Sequence, residues 1–352
     1  MADPLISVIL PVYNGRPYLQ EAIQSILNQM FEDFEFIIIN DGSKDGSKEV
    51  LEEFAEHDHR IRVVHQKNQG ITPSLNRGLK LARGRCIARM DADDISHPER
   101  FARQIDFLES NPDVGILGTQ IRQVDADGNP SSQWVLPTDP DLIGWQLLFS
   151  TCLCHPTVMI RHSLLDNLGG YAEWATHAED YELWTRAVLK SRLANLPDTL
   201  HMLRRHDDSI TATKREEQLR VCRRATARLH EAVLAEKGER EIAHFLARMH
   251  HENVQKAMER SGIQDVTAVH EYVRTLYRQC VKNVLPGVRN VEVRRAALPK
   301  LDAIADQIAR RHGHIAGFLH KLRARFMAPV AEVIPWAASA ARERVAQNEE
   351  IY

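Results

Sequence analysis

The chain has no apolar run approaching the ~18 residues of a membrane span, so a membrane-spanning helix is not expected. Its first residues, Met1-Ala2-Asp3-Pro4, carry neither the basic nor the apolar region of a secretory signal, and the protein is expected in the cytosol. Cysteine is scarce: five in 352 residues, an odd number without framework spacing, which fits a reducing compartment and excludes a disulfide scaffold. Cys152-x-Cys154-His155 has metal-ligand residue types but no second half-site, so a zinc reading is set aside. No internal repeat or low-complexity linker interrupts the chain, and no nucleic-acid partner is expected.

What is present is a globular composition, 43% hydrophobic and 26% charged, with an uneven charge distribution. Residues 1–210 carry 20 Lys+Arg against 31 Asp+Glu, a net of −11, whereas residues 211–352 carry 25 against 17, a net of +8. An acidic front part and a basic rear part point to two different jobs. The front alternates strand and helix signals. Residues 5–10 form a short apolar run, followed by Leu19, Ile23, Ile26 and Met30 at helical spacing. Residues 34–39 and 61–65 read as further strands, with a helix through Val50, Leu51 and Phe54 between them. Thr72-Pro73 reads as an N-cap followed by proline at the first helical position, and Ser96-Pro98-Glu99 as a capping box for a helix through Phe101, Ile105 and Leu108. Successive strand-helix units predict an α/β fold with a mainly parallel sheet wrapped by helices. From residue 213 the pattern changes to long Ala-, Arg-, Glu- and Leu-rich stretches, with helices expected near 214–236, 239–260, 266–283 and 291–311.

The chemistry concentrates in the tetrad Asp91-Ala92-Asp93-Asp94, directly after the apolar run at residues 86–90. Carboxylates packed that closely repel one another unless a cation shares them, so the tetrad asks for a hard divalent metal. In an open α/β sheet it would sit where ligands collect, at the carboxyl end of a strand. A second tripeptide of the same composition, Asp125-Ala126-Asp127, runs into Gly128-Asn129 and reads as an ordinary hairpin turn. Asp41-x-Ser43-x-Asp45-Gly46 with Glu52 matches a loose calcium-loop pattern, but that loop needs an entering helix and residues 36–39 are β-rich. The preferred reading is a strand-end loop in which Asp41 faces a ligand and Asp45 forms an Asx turn capping the next helix.

Taken in order, Pro11-Val12-Tyr13-Asn14-Gly15, Asn40-Asp41-Gly42-Ser43, Asn76-Arg77-Gly78, Met90-Asp91-Ala92-Asp93-Asp94, His155-Pro156-Thr157, Glu179-Asp180-Tyr181-Glu182-Leu183-Trp184 and Arg205-His206-Asp207-Asp208-Ser209 resemble the inverting nucleotide-sugar glycosyltransferases of family 2. The resemblance covers roughly residues 4–212 and implies a GT-A catalytic domain over residues 1–212, followed by a helical region over 213–352. It implies that Pro11, Tyr13 and Asp41 hold uridine, that Asn76, Arg77, Asp91 and Arg205 serve the nucleotide-sugar, and that Asp93 with His206 holds Mn²⁺ or Mg²⁺. Asp180 matches the family's base and Glu179 an orienting acid. The family commonly has Asp where this chain has Asn40, which removes one acid from the base pocket. The partners implied are a UDP-sugar, hexose or N-acetylhexosamine, and a glycan or lipid-linked oligosaccharide acceptor, as in bacterial surface polysaccharide or lipopolysaccharide synthesis.

Two other classes compete. A nucleotide-binding scaffold without turnover would not require both Asp180 and the tetrad. A sugar nucleotidyltransferase needs a glycine-rich basic loop after the first strand, where this chain has Pro11-Val12-Tyr13-Asn14-Gly15. The rear part carries one further expectation. Arg310, Arg311, Lys321, Arg323 and Arg325 alternate with Ile315, Phe318, Leu319, Leu322 and Phe326 at helical spacing, a pattern suited to peripheral contact through 310–326 with the inner face of the plasma membrane.

Overall fold

The computed structural model describes residues 3–206 and 214–234, together with a few positions between 272 and 284. The expected helices near 239–260 and 291–311 and the basic amphipathic segment at 310–326 lie outside the described residues.

The first half is a parallel sheet laid down by strand-helix units. Strand β1 (Ile6–Val12) pairs in parallel with β2 (Phe34–Asn40) on one side and β4 (Cys86–Arg89) on the other, and β2 pairs in parallel with β3 (Ile61–His65). β2 is buried at every position, which is why its sequence does not alternate; it is apolar except for Asn40 at its end and Glu35, whose carboxylate accepts from Ser7 Oγ and is paired with Arg83. Between these strands run α1 (Arg16–Leu27), α2 (Ser47–His57) and α3 (Ile71–Leu81). Leu19, Ile23 and Ile26 of α1 are fully buried in the core shared with β1 and β2. Removing one such side chain typically costs about 2–5 kcal/mol. Met30 does not join them; the helix ends at Leu27 and Met30 is 69% exposed.

The second half turns the sheet mixed. After β5 (Ile95–Ser96) and α4 (Arg100–Ser110), the long β6 (Val114–Val124) forms a hairpin with β7 (Pro130–Trp134). Helix α5 (Pro140–Gln146), a 3-10 turn at His155–Thr157, β8 (Met159–Arg161), α6 (His162–Leu168), α7 (Glu179–Ala187) and β9 (Arg192–Arg204) follow. β8 runs antiparallel to both β4 and β6, β9 runs parallel to β6 and antiparallel to β5, and the sheet order is β3-β2-β1-β4-β8-β6-β9-β5. The parallel half is the one the strand-helix alternation announces. The antiparallel half was not visible in that alternation.

Two helix starts differ from the sequence expectation. Ser96 lies in β5, opposite His201, and makes no capping box; α4 begins at Arg100 with Gln29 Oε1 accepting from the Phe101 N–H. Helix α3 begins at Ile71, so Thr72 sits inside its first turn. Its entry is fixed from a distance: the Asp41 carboxylate accepts from the backbone N–H groups of Gln69 at 2.9 Å and Gly70 at 2.8 Å. A carboxylate at a helix N-terminus also meets the positive end of the helix dipole. Helix α8 (Arg215–Leu234) opens the basic rear region and packs on α7.

Candidate active site

The tetrad emerges at the carboxyl end of β4, beside the carboxyl ends of β1 and β2, and lines a cavity of about 500 Å³. Arg89, Asp91, Asp93, Asp94, Glu179 and Asp180 all face this cavity. Ligand atoms of Asp91, Asp93 and Asp94 lie within 4.8 Å of one another, the one such group of possible metal ligands among the described residues. The carboxylates are not equivalent. Asp94 is 1% exposed, and both its oxygens are spoken for, Oδ2 by His201 Nε2 at 2.8 Å and Oδ1 by the Arg204 N–H at 2.9 Å. It ties the end of β4 to β9. Asp93 meets His206 Nε2 through Oδ2 at 2.9 Å, and the His206 ring rests 5.3 Å from that of Tyr18. Asp91 is paired with the Arg89 guanidinium.

Burial raises all three acids. Asp94 is pushed up to about 8 by burial and then by the charge of Asp91, against the pull of the Arg204 N–H. Burial also raises Asp91, with Arg89 opposing it, and raises Asp93, with Asp94 adding to the effect. Acids held this far from their ionised state are ones a divalent cation would discharge, and their hard oxygen donors suit Mn²⁺ or Mg²⁺. The residues present therefore fit a metal.

Across the cavity, Glu179 and Asp180 occupy the first turn of α7. Burial, followed by the neighbouring Asp180, pushes Glu179 up to about 7. Asp180 is also raised by burial, while the Tyr181 N–H bonded to its Oδ1 at 2.7 Å opposes that shift. Glu179 Oε2 is buried with no hydrogen-bond partner. A buried polar atom left unpaired beside a cavity is what a polar ligand would satisfy.

Pro11 is the penultimate residue of β1 and Tyr13 comes directly after the strand, 53% exposed, so its ring is not a core residue. Asp41 is buried and already accepts three hydrogen bonds, from Gln66 Nε2, Gln69 N–H and Gly70 N–H, which makes it first of all the organiser of the loop between β3 and α3. Gly42 beside it has φ +77°, and a Cβ there would meet the Asn68 nitrogen at 2.9 Å. Arg77 reaches the same network, donating to Gln66 Oε1 at 2.9 Å. Asn76 Nδ2 donates to Tyr171 O and its Oδ1 accepts from Tyr171 N–H, both at 2.9 Å, so it clamps the 170–171 segment to α3; like Pro11, Tyr13, Asp41, Arg77 and His206, it is not among the residues lining this cavity. Arg205 lines the cavity with its guanidinium 5.2 Å from the Trp134 ring centre.

Several contributors carry no local sequence signal. Arg89 is 3% exposed and stands in the field of Asp91 and Glu179. Arg100, fully buried, donates from Nη2 to the Arg89 carbonyl at 2.9 Å and fixes the end of β4. His155 bonds Tyr171 Oη through Nε2 at 2.9 Å, so the Cys152-x-Cys154-His155 segment is used in packing and in the cavity lining.

The sequence profile of Glycosyl transferase family 2 matches residues 7–169. An uncharacterized glycosyltransferase of Haemophilus influenzae is 34% identical over 237 residues, 61% of this chain and 70% of that protein. The chain belongs to glycosyltransferase family 2. The O-antigen biosynthesis glycosyltransferase WbnJ of Escherichia coli is 32% identical over 209 residues, 58% of this chain and 81% of the relative. In fold, residues 1–349 of S. aureus TarS, in a crystal structure with UDP-GlcNAc, superpose with a TM-score of 0.59 at 20% identity, covering 88% of this chain and 92% of that one. The protein is a glycosyltransferase with the GT-A fold, a mixed sheet flanked by helices. Among the described residues, no helix is long and apolar enough to cross a membrane.

Proposed function

We propose that this family 2 member transfers a hexose or N-acetylhexosamine from a UDP-sugar to a glycan hydroxyl with inversion, in the synthesis of a bacterial surface polysaccharide. The observation that carries the reading is one cavity holding both a carboxylate cluster fit for a divalent ion and, separately, the Glu179-Asp180 pair on α7. The choice of UDP draws on the TarS complexes with UDP-GlcNAc and UDP, and the pathway on the O-antigen role in WbnJ's name.

In this reading Tyr13 covers the base, and Asp41, after its three loop bonds, has one lone-pair site left for it. Asp93, with His206 behind it, and Asp91 hold Mn²⁺ or Mg²⁺, while Asp94 secures the turn that presents them. When bound, the ion stabilises charge developing on the departing diphosphate. Arg205, lining the same cavity, adds a fixed cation near that charge. Asp180 takes the acceptor proton on Oδ2, since Oδ1 is held by the Tyr181 N–H, and its raised proton affinity makes it a stronger base than an ordinary aspartate. Glu179 orients the attacking hydroxyl through its unpaired Oε2. One displacement with the base on the acceptor inverts the anomeric centre, so an α-linked UDP-sugar yields a β-glycoside.

The test is UDP release from UDP-glucose, UDP-galactose, UDP-GlcNAc and UDP-GalNAc, each with Mn²⁺ or EDTA and with or without a glycan acceptor. Release from at least one donor, dependent on the metal and accelerated by acceptor, supports the reading. Equal release in EDTA would remove the metal, and a preference for GDP- or dTDP-sugars over all four would remove the UDP donor.

A further inference from the structure

Beyond Asp180 the cavity reaches a wall that the mechanism above leaves unused. Gln218, Leu219, Cys222 and Thr226, on one face of α8, line it together with Phe149 and His177. Helix α8 is pinned to the segment that carries the base. Thr226 Oγ1 and Tyr181 Oη are 2.8 Å apart, Gln218 Nε2 donates to the His177 carbonyl at 3.0 Å, and Glu217 Oε2 lies 3.5 Å from His177 Nε2. His177 itself has φ +70°, a left-handed conformation uncommon outside glycine that here turns the chain into α7. Its ring lines the cavity, and its Nδ1 is buried without a hydrogen-bond partner.

A hydroxyl close enough to Asp180 to lose its proton brings the rest of its sugar against this wall. Leu219 and Cys222 offer apolar contact and are only partly buried, so they have surface left to give to a ligand. The unpaired imidazole nitrogen is the kind of group a sugar hydroxyl satisfies. We propose that α8 and His177 form the acceptor subsite, in which Leu219 and Cys222 pack on the less polar face of a pyranoside and His177 bonds one of its hydroxyls. The first helix of the rear region would then select the acceptor. This proposal rests on the reading of Asp180 as the base.

The experiment uses the full chain, Mn²⁺, the best donor from the panel above, and octyl β-D-glucopyranoside, β-D-galactopyranoside and N-acetyl-β-D-glucosaminide as acceptor probes. Leu219→Trp fills the wall, Leu219→Ala opens it, and His177→Asn keeps a residue that tolerates positive φ while moving the polar atoms. UDP affinity, read by calorimetry, reports the donor side separately. The expected result is a rise of at least about tenfold in acceptor KM for Leu219→Trp and His177→Asn, a changed ranking of the three acceptors for Leu219→Ala, and unaltered UDP affinity. Acceptor KM within twofold of wild type in all three variants overturns the proposal, as does a parallel loss of UDP affinity, which would make α8 a general packing element. A wild-type chain that uses none of the three pyranosides also overturns it. If the wild-type chain binds no UDP, the underlying donor reading fails instead, and the two failures are thereby distinguished.

Discussion

The tripeptide Asp-Ala-Asp occurs twice in this chain, and its two copies have opposite electrostatics. At residues 91–93 it leaves β4, a central strand parallel to β1 and antiparallel to β8, enters a cavity, and has its acids raised by burial. At residues 125–127 it turns the exposed hairpin between β6 and β7, where the backbone N–H and side chain of Asn129 hold Asp125 below the usual carboxylate range. Arg204 touches both, donating from Nε to the Asp93 carbonyl and from Nη1 to the Asp125 and Ala126 carbonyls. The same tripeptide puts two acids into a cavity in one place and forms a turn in the other. What separates them is the strand before, the neighbour after, and the access of water.

The largest effect expected from breaking this contrast lies across the cavity from the first copy. Asp180→Asn preserves shape but cannot take a proton, so transfer should fall by ~10²- to 10⁴-fold while UDP affinity is kept. Near-normal turnover in that variant would place the base elsewhere, with Glu179 next to test.

Next in size is the buried cation that the first copy needs and the second does without. Arg89→Met leaves Asp91, whose side chain is 33% exposed, without its guanidinium, so the loss should fall between the ~1 kcal/mol of an exposed pair and the ~3–5 kcal/mol of a fully buried one. Urea unfolding in EDTA measures this. A loss below about 1 kcal/mol, the range of exposed pairs, would show that water reaches Asp91 freely.

The pH dependence should differ in sign between the copies. Asp94 and Glu179 bind protons more tightly folded than unfolded, so their contribution to stability is fully present below the ordinary carboxylate range and is lost as pH rises through about 7 for Glu179 and about 8 for Asp94. Asp125 is lowered, so its contribution is present above the ordinary range and is lost as pH falls through its folded value. Burial lowers His155, His201 and His230, so their contribution grows as pH rises through the ordinary imidazole range, and the raised acid is read from a difference: in EDTA the Tm of Asp94→Asn should rise relative to wild type between pH 5 and about 8. A difference that stays constant over that interval would contradict the raised value of Asp94. The smallest effect should come from Asp125→Ala, a slight drop in Tm with transfer unchanged.

Much of this was legible in the sequence because it is written locally. The apolar runs of β1, β2 and β4 and the apolar spacing in α1 announce the parallel half of the sheet, and Gly128-Asn129 marks the second Asp copy as a hairpin turn. Asp45 was legible as an Asx turn, and it accepts from both the N–H and the Oγ of Ser47. What was not legible depends on residues far apart in the chain. The entry to α3 is fixed by Asp41, 29 positions before Gly70, so the local Thr72-Pro73 pattern misplaces the start. Asn76 reads as part of a binding motif, and no local pattern shows that Tyr171, 95 positions away, takes up its amide. Leu219 and Cys222 are unremarked helix residues in the sequence; only the packing of α8 on α7 brings them to the cavity.

The central claim, that the first Asp copy and not the second holds a metal carrying the nucleotide diphosphate, is tested most directly by thermal shift with UDP in Mn²⁺ and in EDTA. A ligand that binds the folded state alone stabilises it by about 2.7 kcal/mol at a hundredfold excess over its Kd. The account predicts a large UDP shift with Mn²⁺ and a small one in EDTA for the wild type, an unchanged difference for Asp127→Ala, and no difference for Asp93→Ala. Equal UDP shifts in the two buffers for the wild-type chain, or a Mn²⁺-dependent shift that survives Asp93→Ala, would contradict it.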